Sequence, residues 1–238
     1  MNKALLSYCF LTSVLVAFAQ QSPCKDKLES ALTSLQEIEE PDQGKNHLFR
    51  LEVITTKRQE SFHGKISKSN LGILISENEY YYKNEQLSFL ITGEDQFILL
   101  HPKQLIIKSA VDKDAAKVDL RRNLLIGSQD ELLKNGSIIS CESNETNLDE
   151  TIRIRPDEDF LKIHKIREMK FTINSNCLIK EVEVSYSNKH KLKNMRVIYK
   201  EVELNIPSSE TAFKQDILLS SGEFSKQYRN YKLIAQQP

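Results

Sequence analysis

The sequence predicts an α+β protein in which antiparallel strands form a sheet with one covered and one wet face, accompanied by helices. Three observations support this class. Apolar residues alternate with polar ones over many short runs, a period that is typical of half-buried strands. Short groups of turn-forming residues separate most of these runs, as in β-hairpins. Residues 26–39 instead repeat their apolar residues at the spacing of an amphipathic helix.

Residues 1–19 have the layout of a cleavable secretory signal peptide. Lys3 supplies a positive charge, and the apolar run that follows ends in Ala17-Phe18-Ala19, with small residues at the two positions that a signal peptidase reads. The run is too short for a permanent membrane span, although an uncleaved anchor is the alternative. Cys24 does not follow small residues, so we expect no lipidation. The predicted mature protein, residues 20–238, is a soluble single domain outside the cytoplasm.

Charge and composition exclude several kinds of protein. The chain has 33 lysine and arginine residues against 33 aspartate and glutamate residues, and removal of the leader takes away only Lys3. Such a near-neutral balance argues against a surface built for nucleic acid or an anionic membrane. With 39% hydrophobic residues, the chain is globular rather than disordered. No later stretch reaches the roughly 18–20 apolar residues of a membrane helix, so we expect no transmembrane segment in the mature form.

Three cysteines remain after the leader: Cys24, Cys141 and Cys177. An oxidising compartment permits one disulfide and leaves one free thiol. Cys141 and Cys177 each stand near the end of a predicted strand, which favours their pairing, and three unpaired thiols are the alternative. No C-x-x-C motif occurs and no cysteine stands beside a histidine. The spacing therefore indicates no metal site.

The predicted elements follow one another in a clear order. The amphipathic helix ends before Pro41, and strand-like runs then occupy residues 48–108. Residues 112–135 lack alternation and predict two short helices, of which the second opens with capping-box spacing. Strands resume over residues 137–204, where the last meander has one apolar and one charged face. Residues 205–238 are mixed, and an edge element is predicted from Phe213, Ile217, Leu218, Leu219 and Phe224.

Two stretches resemble the lipoprotein-carrier (LolA/LolB-like) superfamily of the Gram-negative envelope. The segment Ile75-Ser76-Glu77-Asn78-Glu79-Tyr80-Tyr81-Tyr82 is similar to the family's strand, tight turn and aromatic-rich strand. Residues 177–205, CLIKEVEVSYSNKHKLKNMRVIYKEVELN, resemble the family's paired late strands on either side of a lysine-rich turn. The order of elements, from leader to closing meander, resembles the family over most of the mature chain.

This resemblance implies a strongly curved antiparallel sheet, an unclosed β-barrel, with helices covering its concave face. It also implies a hydrophobic cleft that accepts the acyl chains of a lipid or lipoprotein in the periplasm. Such an apolar stripe must be buried with or without a ligand, and aromatic residues favour strands in any case, so a packed core is the alternative. The predicted lining residues are Tyr80, Tyr82, Phe89, Ile91, Phe97, Leu99, Phe171, Ile173, Val182, Val184 and Tyr186.

The sequence shows no constellation that is typical of an enzyme. Its five histidines are scattered, and neither an H-E-x-x-H metal motif nor a G-x-S-x-G nucleophile motif occurs. Alternating glutamates such as Glu181 and Glu183 fall on the polar phase of a strand, where they form a solvated face. We therefore expect no catalysis and no cofactor, and a periplasmic protein that holds a lipid or an acylated protein. The alternative is an envelope module that binds another protein without lipid.

Overall fold

The computed structural model describes residues 23–34, 41–58, 65–77, 79–93, 95–111, 134, 136–144, 146, 148–207, 217–218 and 223–235. The predicted leader, and the predicted helical pair at 112–135 except for Lys134, lie outside these residues.

The described chain contains two α-helices of more than one turn and twelve strands. Helix α1 covers residues 23–34, and helix α2 covers Glu158–His164. Neither is long and apolar enough to span a membrane. The strands are β1 Lys45–Lys57, β2 Ile66–Ser76, β3 Glu79–Lys83, β4 Leu87–Thr92, β5 Asp95–Leu100, β6 Leu105–Ala110, β7 Gly136–Ser143, β8 Glu150–Pro156, β9 Ile166–Ile173, β10 Ile179–Tyr186, β11 Leu192–Pro207 and β12 Lys232–Ala235.

The strands have the hydrogen-bonded order β12-β6-β5-β4-β3-β2-β1-β11-β10-β9-β8-β7. Most neighbours in this order follow one another along the chain and pair antiparallel, as hairpins do. Two neighbours are not consecutive along the chain: β1 lies beside β11, and β12 returns from the end of the chain to pair parallel with β6. Since β12 and β7 stand at opposite ends of the order, the sheet of the described residues is not closed. The predicted α+β class with an unclosed, mostly antiparallel sheet is confirmed.

The chain divides into two compact units. Unit 1 lies within residues 1–37 and 125–195, and unit 2 lies within residues 38–124 and 196–238. Unit 1 therefore contains α1, α2 and strands β7 to β10. Unit 2 contains β1 to β6, β12 and most of β11.

In unit 1, helix α1 lies on the apolar face of the strands. The described part of this helix runs over residues 23–34. Leu28, Ala31 and Leu32 are almost completely buried, and they share one helix face with Cys24 and Lys27 because of the i, i+3, i+4 spacing. Two bonds join this face to the sheet. Cys24 is disulfide-bonded to Cys141 on β7, and Lys27 Nζ lies 2.7 Å from Glu150 Oε1 on β8.

The disulfide corrects the pairing predicted from the sequence. Cys141 bonds to Cys24, with 6.3 Å between the two Cα atoms, and Cys177 is free. Cys177 lies in the turn between β9 and β10, two strands away from β7 and therefore about 10 Å away at the usual strand spacing. A disulfide needs its Cα atoms within about 7 Å. The prediction that Cys141 pairs with Cys177 is therefore wrong.

Helix α2 begins at a capped turn. The carboxylate of Asp157 accepts a hydrogen bond of 2.8 Å from the backbone N–H of Phe160, which satisfies one of the free donors of the first turn. Phe160 is the buried residue of this helix, and Lys165, in the left-handed region at φ 60°, ends it. The acidic run 157–159 thus forms the start of this helix.

In unit 2, the closing segment of the chain covers one face of the sheet. Ile217, Leu218 and Tyr228 are buried in a core cluster with residues of β1 to β6, and Phe224 and Tyr231 pack against that cluster. The residues contributed by the strands are Leu48, Leu74, Tyr81, Leu90, Phe97, Leu99 and Ile106. Ile217, Leu218 and Phe224 of the predicted edge element thus pack in or against this cluster, and the short strand β12 later in the chain pairs parallel with β6.

Candidate functional site

The strand register of unit 2 produces one sheet face without charge. Partners opposite each other in an antiparallel pair point to the same face, and the pairs β1–β2, β2–β3, β3–β4, β4–β5 and β5–β6 run without a recorded bulge. The register places one continuous row of six side chains across these strands. We call it the apolar row: Phe49, Ile73, Tyr82, Phe89, Ile98 and Ile107.

Other residues on this face extend the surface on both sides of the row. None of them is lysine, arginine, aspartate or glutamate, and we call the whole surface the uncharged face. In addition to the apolar row, it comprises His47, Leu51, Val53, Thr55, Ser67, Ser69, Leu71, Ile75, Tyr80, Leu87, Ile91, Gln96, Leu100, Leu105 and Ser109.

The opposite face of the same strands has a different composition. Its centre is the core cluster beneath the closing segment, and charged residues surround that centre. Arg50 Nη1 lies 2.9 Å from Glu201 Oε2, and Lys108 Nζ lies 2.8 Å from Asp95 Oδ2. Between the ends of β1 to β6, every charged side chain thus lies on this opposite face and none lies on the uncharged face.

Burial along the apolar row changes from one strand to the next. Phe49 and Ile73 are buried to 0% and 1% exposure. Tyr82, Phe89, Ile98 and Ile107, which continue the row over β3 to β6, are half-buried. Half-buried aromatic and aliphatic side chains on a surface without charge still gain free energy when a further apolar group covers them. This part of the face is therefore the candidate binding surface.

Tyr80 places a polar atom within this apolar surface. Its side chain is 8% exposed, and its ring contacts the ring of Phe89 edge-on, with 5.8 Å between centroids. Among the described residues, no group forms a hydrogen bond with its buried hydroxyl, and burial raises the pKa of that hydroxyl. A buried phenol that keeps its proton is a hydrogen-bond donor, and leaving it without an acceptor is costly.

Tyr82 differs from Tyr80 although both lie on the same face. Its hydroxyl accepts a hydrogen bond of 2.8 Å from Asn84 Nδ2, and burial raises its pKa while that hydrogen bond opposes the rise. The two tyrosines predicted from the sequence are therefore brought together with Phe89 and Ile91 on one surface, and only Tyr80 of the two has a hydroxyl in need of a partner.

Phe97 and Leu99 were expected in the same stripe as Phe89 and Ile91, and the register corrects this. Phe97 pairs with Leu90, whereas Phe89 pairs with Ile98. Phe97 and Leu99 thus belong to the buried core cluster on the opposite face. The alternation within each strand was predicted correctly, but its phase across the turn at Gly93 depends on which residues become partners, and Thr92 pairs with Asp95.

The remaining predicted residues all lie in unit 1. All of them except Tyr186 form part of a packed core. Phe171, Ile173, Val182 and Val184 are exposed by at most 1%. They occupy the same face as Cys141, which the register places beside Ile152 and Phe171, so they lie beneath helix α1. These four residues therefore form a packed core in this structure, which was the alternative to a lipid cleft.

Tyr186 lies at the far end of the same sheet segment and is half-buried. Its ring stacks on that of His190, with 4.2 Å between centroids, and its hydroxyl points to the sulfur of Met195 at 4.0 Å. These contacts belong to the β10–β11 hairpin and not to the face beneath α1.

Sequence reasoning missed four members of the apolar row: Phe49, Ile73, Ile98 and Ile107. Each follows the apolar phase of its own strand, so its burial was predictable. Only pairing across the hairpins joins them in one row with Tyr82 and Phe89. Assigning antiparallel partners across each turn in succession would have found them.

Together these features define an α+β protein with an open antiparallel sheet and an apolar, uncharged surface. Among the described residues, no group of histidine, cysteine, aspartate and glutamate side chains could hold a metal ion. No protein-family model matches the chain, and no curated protein sequence matches it.

Solved structures similar to this chain include members of the superfamily that the sequence resembles. A putative outer membrane lipoprotein-sorting protein domain from Vibrio parahaemolyticus has a TM-score of 0.32 at 10% identity, covering 79% of this chain and 98% of its own. A LolA superfamily protein from Nitrosomonas europaea has a TM-score of 0.29 at 12% identity, covering 85% and 97%. An uncharacterized conserved protein from Thermus thermophilus has a TM-score of 0.42 at 6% identity, covering 90% and 99%.

All three likenesses have identities of 12% or less and TM-scores of 0.42 or less. Identities this low carry no information about the ligand, which must be inferred from the residues of this chain.

Proposed function

We propose that the protein binds the acyl chain of a lipid or an acylated protein, without catalysis, on the uncharged face of unit 2. The observation that carries this proposal is the absence of charged residues from that face between the ends of six neighbouring strands, next to an opposite face that is rich in ion pairs. Lys45 and Lys57, at the two ends of β1, fall in the same phase and mark the limits of this face. A hydrocarbon chain has no groups that need polar partners. Each methylene buried on such a surface contributes about 0.8 kcal/mol.

The hydroxyl of Tyr80 supports an acyl chain that ends in a polar group. It is a buried donor without an acceptor among the described residues, and a carbonyl oxygen of an ester or amide would satisfy it. A neutral hydrogen bond of this kind contributes about 1 kcal/mol on balance, while the unsatisfied group costs more. Tyr80 would therefore orient the ligand, and the half-buried residues of the apolar row would supply most of the affinity.

A serine–histidine pair of unit 2 is better explained by structure than by catalysis. Ser88 Oγ lies 2.8 Å from His101 Nε2, and His101 Nδ1 lies 3.1 Å from the hydroxyl of Tyr231. A nucleophile must reach its substrate, but Ser88 is 0% exposed. It also faces the core cluster rather than the uncharged face, because it pairs with Leu99. The pair and Tyr231 join β4 to the closing segment of the chain.

We place this binding in the periplasm, after export directed by residues 1–19, with residues 20–238 acting as a single carrier-like domain. An exposed hydrocarbon chain needs a covered path through an aqueous compartment, and an exported protein with an apolar surface would provide it. Mass spectrometry of the N-terminal peptide would test cleavage of the leader, and cell fractionation would test the location.

A charged substitution on the uncharged face tests the proposal. Ile98→Lys places an ammonium group in the half-buried part of the apolar row, where it must be desolvated when an acyl chain binds. Ile66→Lys is the matched control, because Ile66 is 63% exposed and stands on the opposite face of β2. We expect Ile98→Lys to lower the affinity for a fluorescent fatty acid by at least about tenfold, the loss of one or two methylene contacts plus desolvation. Equal binding by both variants would contradict the proposal and favour a protein-binding module.

A further inference from the structure

A second surface, in unit 1, concentrates positive charge at one end of the sheet. The register places the start of β7 beside the end of β8, since Gly136 pairs with Pro156. It also places the end of β10 beside the start of β9, since Tyr186 pairs with Ile166. The backbone N–H of Ser187 donates to the carbonyl of Lys165 at 2.7 Å, which joins the β10–β11 turn to the end of α2. We call this surface the basic end: Lys134, Arg155, Lys165, Arg167, Lys189, Lys191 and Lys193.

The cations of the basic end are mostly exposed and uncompensated. Six of them, all but the half-buried Lys165, are exposed. Within the part of the chain that the structure describes, Lys189, Lys191 and Lys193 form no ion pair. The carboxylates nearby along the chain already have partners. Lys162 Nζ lies 3.1 Å from Asp159 Oδ1 and 3.9 Å from Glu158 Oε2. Asp157 accepts the capping hydrogen bond from Phe160, and Glu168 Oε1 lies 3.9 Å from Arg153 Nη1.

The other end of the same strands is charged but balanced. Lys180 Nζ lies 2.7 Å from Asp149 Oδ2, and Lys27 pairs with Glu150 at the same distance. The protein as a whole has equal numbers of basic and acidic side chains. Unpaired positive charge is therefore concentrated at one end of the strands of unit 1, and an anionic partner is attracted to that end only.

An exposed apolar side chain accompanies these cations. Ile163, on α2, is 70% exposed, and it stands two residues before Lys165. An isolated exposed apolar residue is ordinary, but one that projects from a basic surface has the composition of a protein segment that enters the interfacial region of an anionic bilayer. Nucleic acid offers phosphates without the apolar layer beneath them, and so accounts only for the charge.

We propose that the basic end docks on a membrane surface that carries anionic phosphate headgroups. Lys189 and Lys191 in the β10–β11 turn and Lys193 at the start of β11 contact the phosphates, and Ile163 inserts among the acyl chains near the headgroups. Docking by unit 1 is separate from acyl-chain binding on the uncharged face of unit 2, and either can fail without the other.

Vesicle binding by the exported, processed protein tests this proposal. The vesicles contain phosphatidylglycerol and phosphatidylcholine in equal parts, with pure phosphatidylcholine vesicles for comparison. The test variant, called the hairpin variant, is Lys189→Gln/Lys191→Gln/Lys193→Gln. The matched control is Lys57→Gln/Lys65→Gln/Lys103→Gln, which removes the same charge from exposed lysines of unit 2. A third variant, Ile163→Ser, tests the apolar contact.

We expect the protein to bind the anionic vesicles and not the neutral ones, with binding that weakens as salt is added. The hairpin variant should lose at least about tenfold in partition onto anionic vesicles, since each lysine near such a surface contributes measurably. Ile163→Ser should lose severalfold, and the control should match the unchanged protein. Equal losses in the hairpin variant and the control would overturn the proposal. So would binding to a polyanion such as heparin with no binding to vesicles, which would indicate an acidic macromolecule instead.

Discussion

Phe89 and Phe97 stand on adjacent strands of one hairpin and point to opposite faces of the sheet, because Phe89 pairs with Ile98 while Phe97 pairs with Leu90. The ring of Phe97 is 6% exposed and meets the ring of Phe224 edge-on, 5.7 Å away between centroids. The ring of Phe89 is half-buried beside Tyr80. One hairpin thus contributes one aromatic residue to the core and one to the candidate binding surface.

We therefore expect substitution of Phe97 to affect mainly stability and substitution of Phe89 to affect mainly ligand binding. Phe97→Ala should lower the free energy of unfolding by about 3–5 kcal/mol, as in other truncations of buried aromatic residues. Phe89→Ala should lower it by only about 1–2 kcal/mol, because less area is buried, but should weaken fatty-acid binding more strongly. Chemical denaturation and fluorescent-ligand titration measure the two effects. Equal effects of both substitutions on binding would count against the uncharged face as the site.

Removing the hydroxyl from each of the two tyrosines of β3 on the uncharged face should affect stability differently. Tyr80→Phe removes a buried hydroxyl without a described partner and should leave the unfolding free energy unchanged or raise it by about 1 kcal/mol. Tyr82→Phe breaks the hydrogen bond from Asn84 and should lower it by about 1 kcal/mol. If Tyr80→Phe also weakens binding of an acyl ester more than of the matching alkane, its hydroxyl contacts the ligand. A Tyr80→Phe protein that is less stable than Tyr82→Phe would show that Tyr80 has another structural role.

The disulfide predicts unequal roles for the three cysteines. Cys24→Ser opens a link between residues 117 positions apart, and loss of such a link costs about 2–5 kcal/mol in the chain-entropy description. Cys177→Ser is the control, because Cys177 is free, and it should change the unfolding free energy by at most about 0.5 kcal/mol. Equilibrium unfolding with and without reductant checks both. A reductant effect that persists in Cys24→Ser and disappears in Cys177→Ser would contradict the pairing seen here.

His101 predicts a dependence of stability on pH. Burial lowers its pKa, and the charge of Lys83 lowers it further. Ser88, Tyr228 and Tyr231 complete its surroundings. A histidine whose pKa is lower in the folded state binds fewer protons there than in the unfolded chain, so stability decreases as pH falls below the unfolded value of about 6.5. His101→Gln should flatten this decrease between about pH 7 and 5 in thermal unfolding, and an unchanged slope would exclude His101 as its source.

The sequence was sufficient for most local structure. The period-two runs predicted the strands of the two meanders, and the 3.6-residue period predicted helix α1, because both follow from which residues face an apolar neighbour. The run 157–159 does not by itself distinguish a loop from a helix start, since that depends on whether the Asp157 side chain caps Phe160. Strand β12 was not predicted as a strand, because its four residues are all exposed and show no alternation.

Relations between distant segments could not be predicted in the same way. The prediction that Phe97 and Phe89 share one face was wrong. The pairing of residues across the turn at Gly93, and not the periodicity within each strand, determines which residues of β5 lie on the face of Phe89. The choice of Cys177 over Cys24 failed because a helix on top of the sheet brings Cys24 to Cys141, and spacing along the chain does not reveal that contact. Overall neutrality likewise hid the basic end, since net charge contains no information about position.

Photo-cross-linking with a fatty acid that carries a diazirine in its chain tests the central claim most directly, because it locates the bound chain on the protein. Adducts should concentrate in the peptides of β4, β5 and β6 that carry Phe89, Ile98 and Ile107, and Ile98→Lys should remove them while Ile66→Lys does not. Adducts confined to unit 1, or an equal pattern in the two variants, would contradict acyl-chain binding on the uncharged face.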